Sequence, residues 1–248
     1  MGPRIAIPLP LSTDPEYVER SLPQYEHAIR MADGEPVRIP LDLAAAELKR
    51  SIESCGGVLL PGSKTDVDPA KYGASKHERT APPDPRRDDV DCWLLQYAYA
   101  NRRPVLGICY GLQSLNVYLA GTLIQHIPDV LPPELQQVNH AAGRLVAIAH
   151  DAQIDPASCL AKIVGNGGPD AVRIPVNSSH HQSAEEPGTG LKIVARCPDD
   201  GIVEALEGTD PNHFVIAVQW HPERSVDVDE PSRAIFRAFV EAARGSAG

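Results

Sequence analysis

The chain has 248 residues, 42% of them hydrophobic, which is enough to build the core of one large α/β domain. Its 33 acidic residues outnumber 23 lysines and arginines, and the formal net charge of −10 repels nucleic-acid phosphates and anionic lipid alike. Five scattered cysteines, Cys55, Cys92, Cys109, Cys159 and Cys197, form no CxxC pair, which argues against a disulfide framework or a zinc site and for a reducing cytoplasm.

The opening segment MGPRIAIPLPLS has too short an apolar run and too many prolines for a signal peptide. Ala6 stands where a myristoylation signal needs Ser or Thr. No apolar stretch approaches the roughly 20 residues that span a bilayer, so a soluble cytoplasmic protein is expected. RIAIPL reads as the first strand, and Ser21, just ahead of Pro23, reads as the N-cap of a helix carrying Leu22, Tyr25, Ile29 and Ala32. PVRIP and GVLLPG are the next two strands, each closed by a proline or glycine.

Residues 61–88 hold many turn formers and little apolar periodicity, as expected of a functional or mobile loop. Within it, the basic pair Arg86-Arg87 stands among aspartates and reads as a solvated helix start. Val90, Trp93, Leu94, Tyr97 and Ala98 then follow the spacing of a helix that packs one face on a sheet. PVLGI is the next strand, with Cys109 at its end. Leu112, Leu115 and Leu119 mark the buried side of a helix that Gly121 terminates.

Residues 145–149, 171–176, 191–196 and 202–207 are further strand candidates, separated by turns and fit for an antiparallel extension. FVIAVQW at 214–220 is the last strand, and Ile235, Phe236, Phe239 and Val240 belong to a terminal helix. Alternating strands and helices predict an α/β fold with a mainly parallel central sheet flanked by helices. No internal repeat or linker divides the chain, so residues 1–248 are expected to form a single domain.

Gly107-Ile108-Cys109-Tyr110-Gly111 has the form G-x-C-x-G between a strand and a helix, the cysteine version of a nucleophile elbow. Glycines are needed there because side chains at those positions would collide with the turn. A thiol at a helix N-terminus feels a dipole that favours thiolate, and the backbone N–H of Tyr110 is placed to hold an oxyanion. The competing reading is a small buried hydrophobe.

A nucleophile needs a base. Gln219-Trp220-His221-Pro222-Glu223 closes the last predicted strand, and residues two apart on an extended segment share a face. Glu223 could fix the tautomer of His221 while the other ring nitrogen addresses a thiol. Read alone, the tripeptide is more often a surface turn, and the elbow reverses that preference. Cys109 and His221 both end strands at the carboxyl edge where open α/β sheets bind ligands.

GICYGLQSLNVYLAGTLIQHI followed by VQWHPE resembles the class I glutamine amidotransferases. LLPGSKTDVDPAKYG, VNSSHHQS and DGIVEAL narrow the resemblance to the gamma-glutamyl-gamma-aminobutyrate hydrolase branch, over about residues 4 to 240. The resemblance implies a triad of Cys109, His221 and Glu223 that hydrolyses a γ-glutamyl amide through a thioester, with a place in polyamine breakdown. It implies no cofactor and no metal. It also implies a second oxyanion donor at the backbone N–H of Gly62, although Ser63 and Lys64 depart from a further glycine of relatives.

By the same resemblance Gln113 contacts the γ-glutamyl group, and the segment with Ser179, His180 and His181 walls the substrate's amino-acid end, with either His180 or His181 in contact. Adjacent histidines in extended chain point apart, which argues against a metal chelated by that pair. Asp66 and Asp68 fit loop ordering better than acid/base work. Tyr110 stands where relatives often carry arginine, which removes a charge near the pocket and leaves the leaving amine open. The expected partner is a small γ-glutamyl substrate, with a homodimer left open. The rival readings are a glutaminase feeding a separate synthase and a noncatalytic γ-glutamyl sensor.

Overall fold

A computed structural model describes residues 2–165 and 172–245. Strand and helix alternate through β1 (Arg4–Pro8), α1 (Pro15–Met31), β2 (Glu35–Ile39), α2 (Ala45–Glu53), β3 (Gly57–Leu60), α3 (Pro85–Ala100), β4 (Val105–Ile108) and α4 (Tyr110–Tyr118). Then come β5 (Leu123–Ile124), α5 (Ile127–Val130), β6 (His150–Ile154), α6 (Cys159–Val164), β7 (Val172–Val176) and β8 (Ser183–Ala184). β9 (Leu191–Arg196), β10 (Val203–Gly208), β11 (Val215–Val218) and α7 (Glu230–Gly245) complete the chain.

One sheet runs in the order β2-β1-β3-β4-β11-β10-β9-β6-β7. The strands from β2 to β11 pair in parallel, and those from β11 to β7 pair antiparallel, so the expected α/β sheet carries its antiparallel extension on one side. β5 and β8 form a separate antiparallel pair. Residues of β1, β3, β4 and β11 are buried throughout apart from Arg4 at the start of β1, as strands covered by helices on both faces require. α1, α6 and α7 pack on one face and α2, α3 and α4 on the other. Among the described residues no helix is long and apolar enough to cross a membrane.

Register decides what this sheet can do. Leu60 of β3 lies beside Gly107 of β4, and Ile108 of β4 lies beside Val218 of β11. Three parallel strands therefore end together, and the residues that follow them, Gly62, Cys109 and His221, emerge at one carboxyl edge.

Several expectations need correction. Helix α1 starts at Pro15 with Asp14 as its cap, whose carboxylate accepts from the Tyr17 N–H at 2.9 Å. Ser21 lies inside that helix, donating to the Tyr17 carbonyl at 2.7 Å, and Pro23 is tolerated within it. Helix α4 ends at Tyr118, is capped by Leu119 and turns through Ala120 at φ 67°, one residue before Gly121. No strand forms at 145–149: the apolar side chains there face solvent, Leu145 at 94% exposure, and the strand begins at His150. The strand expected at 171–176 is β7 from Val172, with Ala171 outside the described residues. Helices α2 and α6 had no counterpart among the expected elements.

The largest correction concerns α3. Trp93 is exposed, while Arg87, Asp88 and Asp91 are buried beside Val90, Leu94, Leu95 and Ala98. Arg87 is fully buried, pairs with Asp91 at 2.7 Å, and donates to the carbonyls of Pro10 at 3.1 Å and Pro61 at 2.8 Å. Its guanidinium lies 4.8 Å from the Tyr110 ring centroid. This cation thus ties together the ends of β1 and β3 and the start of α4. Asp84 caps α3 and also holds Ser12 at 2.6 Å, so the loop over 61–88 is anchored at its far end.

Removing one partner of a buried ion pair leaves the other charged and desolvated, at a cost of about 3–5 kcal/mol. Arg87→Ala is expected to lose about that much in urea unfolding, and Arg87→Met combined with Asp91→Leu is expected to regain most of it. An Arg87→Ala midpoint equal to that of the parent would contradict this role.

Candidate active site

Cys109 sits at the sharp turn between β4 and α4, with φ 53° and ψ −105°. A positive φ at a non-glycine residue costs about 1–3 kcal/mol and persists only where the surroundings enforce it. Two contacts enforce it here. The Cys109 N–H donates to the Val218 carbonyl at 2.8 Å, and the Cys109 carbonyl accepts from Leu112 N at 3.0 Å and Gln113 N at 3.2 Å as α4 begins. The flanking glycines are required by space. A Cβ on Gly107 would fall 2.8 Å from the Gly111 carbonyl oxygen, and a Cβ on Gly111 would fall 2.1 Å from that of Leu60.

His221 leaves the end of β11, and its Nδ1 is 2.7 Å from Glu223 Oε1, with both residues buried. Asn177 grips the His221 backbone from both sides, accepting from its N–H at 3.0 Å and donating to its carbonyl at 2.8 Å. Gly62 stands between the imidazole and the thiol. A Cβ added there would lie 3.0 Å from His221 Cε1, 3.1 Å from Tyr25 Oη and 3.6 Å from Cys109 Cβ. The expected trio therefore converges, with glycine required where it meets.

Burial sets the resting charges. It pushes the Cys109 thiol up to about 12, against an opposing pull from the Arg224 guanidinium and with a further push from Glu223. The helix-start reading of a favoured thiolate is thus overridden by desolvation. Burial also holds His221 below its ordinary value, so the imidazole is neutral at neutral pH. For Glu223 burial acts upward, but the His221 hydrogen bond and the Arg224 charge prevail and keep it ionised. The hydrogen bond from His221 Nδ1–H to Glu223 leaves the other ring nitrogen, Nε2, as the basic one.

The two expected oxyanion donors differ from each other. The Tyr110 N–H is directed at the Cys109 sulfur. The Gly62 N–H, expected to be a second donor, instead donates to Tyr25 Oη at 3.0 Å in this structure. Tyr110 turns its side chain into the core, where its hydroxyl donates to Asp88 at 2.9 Å, so this position contributes only backbone to the site. Arg224, which the sequence reading did not single out, brings the positive charge instead. Its side chain lies 3.6 Å from Glu223 and donates to Ser179 Oγ at 2.8 Å.

The other expected substrate residues separate. Gln113 is buried and its Nε2 donates to the Gln182 carbonyl and to Gln219 Oε1, both at 3.3 Å. Ser179 is held by Arg224. His181 keeps its side chain 32% exposed and contacts Asp66 at 3.1 Å. His180 points the opposite way into the interior, with Nδ1 against the Gln182 carbonyl at 2.8 Å, so of the two histidines only His181 is part-exposed. Asp66 also accepts from Ala81 N at 2.7 Å, and Asp68 caps a short turn by accepting from Ala70 N at 3.0 Å. Both carboxylates order the loop, as expected.

The sequence profile of the family described as peptidase C26 matches residues 10–223. A Mycobacterium tuberculosis protein with a provisional glutamine amidotransferase name is 38% identical over 90% of this chain and 68% of its own length. The gamma-glutamyl-gamma-aminobutyrate hydrolase of Escherichia coli K12 is 33% identical over 88% of this chain and 84% of its own. In fold, the chain is similar to a Thermoplasma acidophilum protein provisionally named as a GMP synthase component, with a TM-score of 0.65, 14% identity, and 99% and 96% of the two chains covered.

A buried thiol held far above its ordinary value resists alkylation. At neutral pH, without substrate, iodoacetamide is expected to modify exposed Cys92 and Cys159 well before Cys109 by peptide mass mapping. Preferential modification of Cys109 would show that it is ionised at rest.

Proposed function

The chain belongs to the peptidase C26, class I glutamine amidotransferase-like family, and from that premise we propose that it hydrolyses the γ-glutamyl amide bond of a small γ-glutamyl compound through a Cys109 thioester. The observation that carries this reading is the His221–Glu223 pair at 2.7 Å, brought beside a strained cysteine at one sheet edge. A structural histidine in a surface turn would need neither the buried carboxylate nor the thiol.

The steps follow from the resting charges. His221 Nε2 takes the Cys109 proton as sulfur attacks the γ-carbonyl carbon, forming the C–S bond and an oxyanion. The Tyr110 N–H stabilises that oxygen, and the Gly62 N–H joins it by exchanging its bond to Tyr25 Oη. His221 passes its proton to the amine nitrogen as the C–N bond breaks, leaving the glutamyl thioester. Water, deprotonated by His221, then attacks the thioester carbon. Glutamate leaves and sulfur recovers its proton. Glu223 holds the imidazole tautomer and stabilises the imidazolium in both halves.

γ-Glutamyl-γ-aminobutyrate is the first substrate to test, because the Escherichia coli relative carries that substrate in its name. With γ-aminobutyrate as the leaving amine, the reaction would belong to polyamine breakdown. Glutamine is the second, from the amidotransferase name of the Mycobacterium relative.

Purified protein incubated with these two and with other γ-glutamyl amines is expected to release glutamate from at least one, and Cys109→Ala from none. Glu223→Gln is expected to lower kcat by about 10²–10⁴-fold with the fold intact, because the imidazole loses its orienting charge. Release by Cys109→Ala at the parent rate would overturn the thioester route.

His221 must be neutral to accept the thiol proton, and burial lowers its value, so its protonation sets in only below 6.5. The acid limb of kcat/KM is therefore expected to fall below that pH. A limb above it would contradict a desolvated general base.

A further inference from the structure

We propose that His140, His150, His180 and Glu204 bind a single divalent cation of the zinc class, at a closed structural site separate from Cys109. The four come from distant parts of the chain: the irregular segment before β6, the first residue of β6, the connection from β7 to β8, and β10. All are buried, Glu204 completely and the histidines at 4–8% exposure. One donor atom from each lies within 4.8 Å of every other.

The donor atoms are the right ones. His140 Nδ1, His150 Nε2, His180 Nε2 and both carboxylate oxygens of Glu204 are buried without a hydrogen-bond partner among the described residues. Orphaned buried polar atoms are costly, and one cation at the point these five surround would partner them all. His140 Nδ1, His150 Nε2 and His180 Nε2 lie 3.3, 3.5 and 3.6 Å from Glu204 Oε1. Tetrahedral zinc with nitrogen and oxygen ligands at about 2.0–2.2 Å puts neighbouring ligand atoms about 3.3–3.5 Å apart.

The outer atoms of the three rings are already held as metal-bound histidines require. His180 Nδ1 faces the Gln182 carbonyl at 2.8 Å and His150 Nδ1 faces the Asp151 carbonyl at 3.2 Å, so each carries a proton there and turns Nε2 inward. His140 Nε2 meets the Asp200 carboxylate at 2.8 Å, which leaves Nδ1 as its inward donor. Cys197 also lies within reach of His140 and His150. With a cation bound, three imidazoles and one carboxylate would form the borderline donor set of zinc, and four protein ligands would leave no position for a reacting water.

The adjacent histidines His180 and His181 do point apart, so the pair itself chelates nothing; His180 meets partners distant in sequence. The cation would also brace the candidate active site. His180 N and Ser178 Oγ both donate to the His140 carbonyl, at 2.9 and 2.6 Å, and Asn177 of the same segment grips the His221 backbone. Glu204 accepts from Gln219 N through its own carbonyl at 2.8 Å, two residues before His221.

The full chain, stripped with a chelator and dialysed against Zn²⁺ alone, is expected to retain about one zinc per chain by elemental mass spectrometry, with a raised Tm that the chelator reverses. Asp200→Asn, which touches no proposed ligand atom, is expected to weaken zinc affinity about 10–100-fold. Glu204→Gln is expected to lose the zinc, and Cys109→Ala to keep it. A parent protein that retains no zinc and whose Tm ignores both Zn²⁺ and chelator would overturn the site, leaving a proton shared among His140, Asp200 and Glu204 as the link. Zinc retained unchanged by Glu204→Gln and Asp200→Asn would place the metal elsewhere and equally overturn it.

Discussion

The hydrogen bond from the Cys109 amide to the Val218 carbonyl, at 2.8 Å, fixes where the thiol stands relative to His221, its proposed base. It continues the parallel ladder of β4 and β11 by one residue beyond the strand, so the chain turns out of the sheet at Cys109 while β11 runs on to His221. Parallel pairing is what brings both to the same edge; an antiparallel partner would have carried His221 to the opposite end. The positive φ at Cys109 is the cost of this arrangement, and the close approach of Gly111 to Leu60 is its condition. Buried Arg87 secures the same place from below, holding the Pro61 carbonyl next to Gly62 and facing the Tyr110 ring.

Desolvation then determines chemistry. Burial pushes the Cys109 thiol up to about 12 and holds His221 below its ordinary value, so both are uncharged at rest. Such a resting state suits a general-base mechanism, in which the proton moves as the C–S bond forms, better than a preformed ion pair. Arg224, which opposes the burial effect at Cys109 and helps keep Glu223 ionised, is the cation that would favour charge separation in the proposed route.

Much of this was legible in sequence, because it is local. The elbow lies within five residues and His221-Pro222-Glu223 within three, and apolar strand runs mark their sheet ends. Arg87 was not legible. A basic pair among aspartates reads as solvated, and only the packing of α3 beneath Pro10 and Pro61 reveals its burial. Val146 and Ile148 alternate like a strand, yet among the described residues they pair with no strand and face solvent, and β6 starts afterwards where β7 and β9 supply ladders. Periodicity also hides polar roles: His180 and His181 differ by one residue and face opposite environments. The His140, His150, His180 and Glu204 cluster spans segments that only β-sheet pairing brings together, and no spacing rule would find it.

A thioester route requires that Cys109 form a covalent bond to the glutamyl group. Its most direct test is mass spectrometry of the acid-quenched parent protein, taken during turnover of whichever γ-glutamyl compound it cleaves. A glutamyl adduct is expected on the peptide containing Cys109, vanishing when substrate is exhausted. Steady release of glutamate with no adduct at Cys109 at any time, or with the adduct on another residue, would contradict that route.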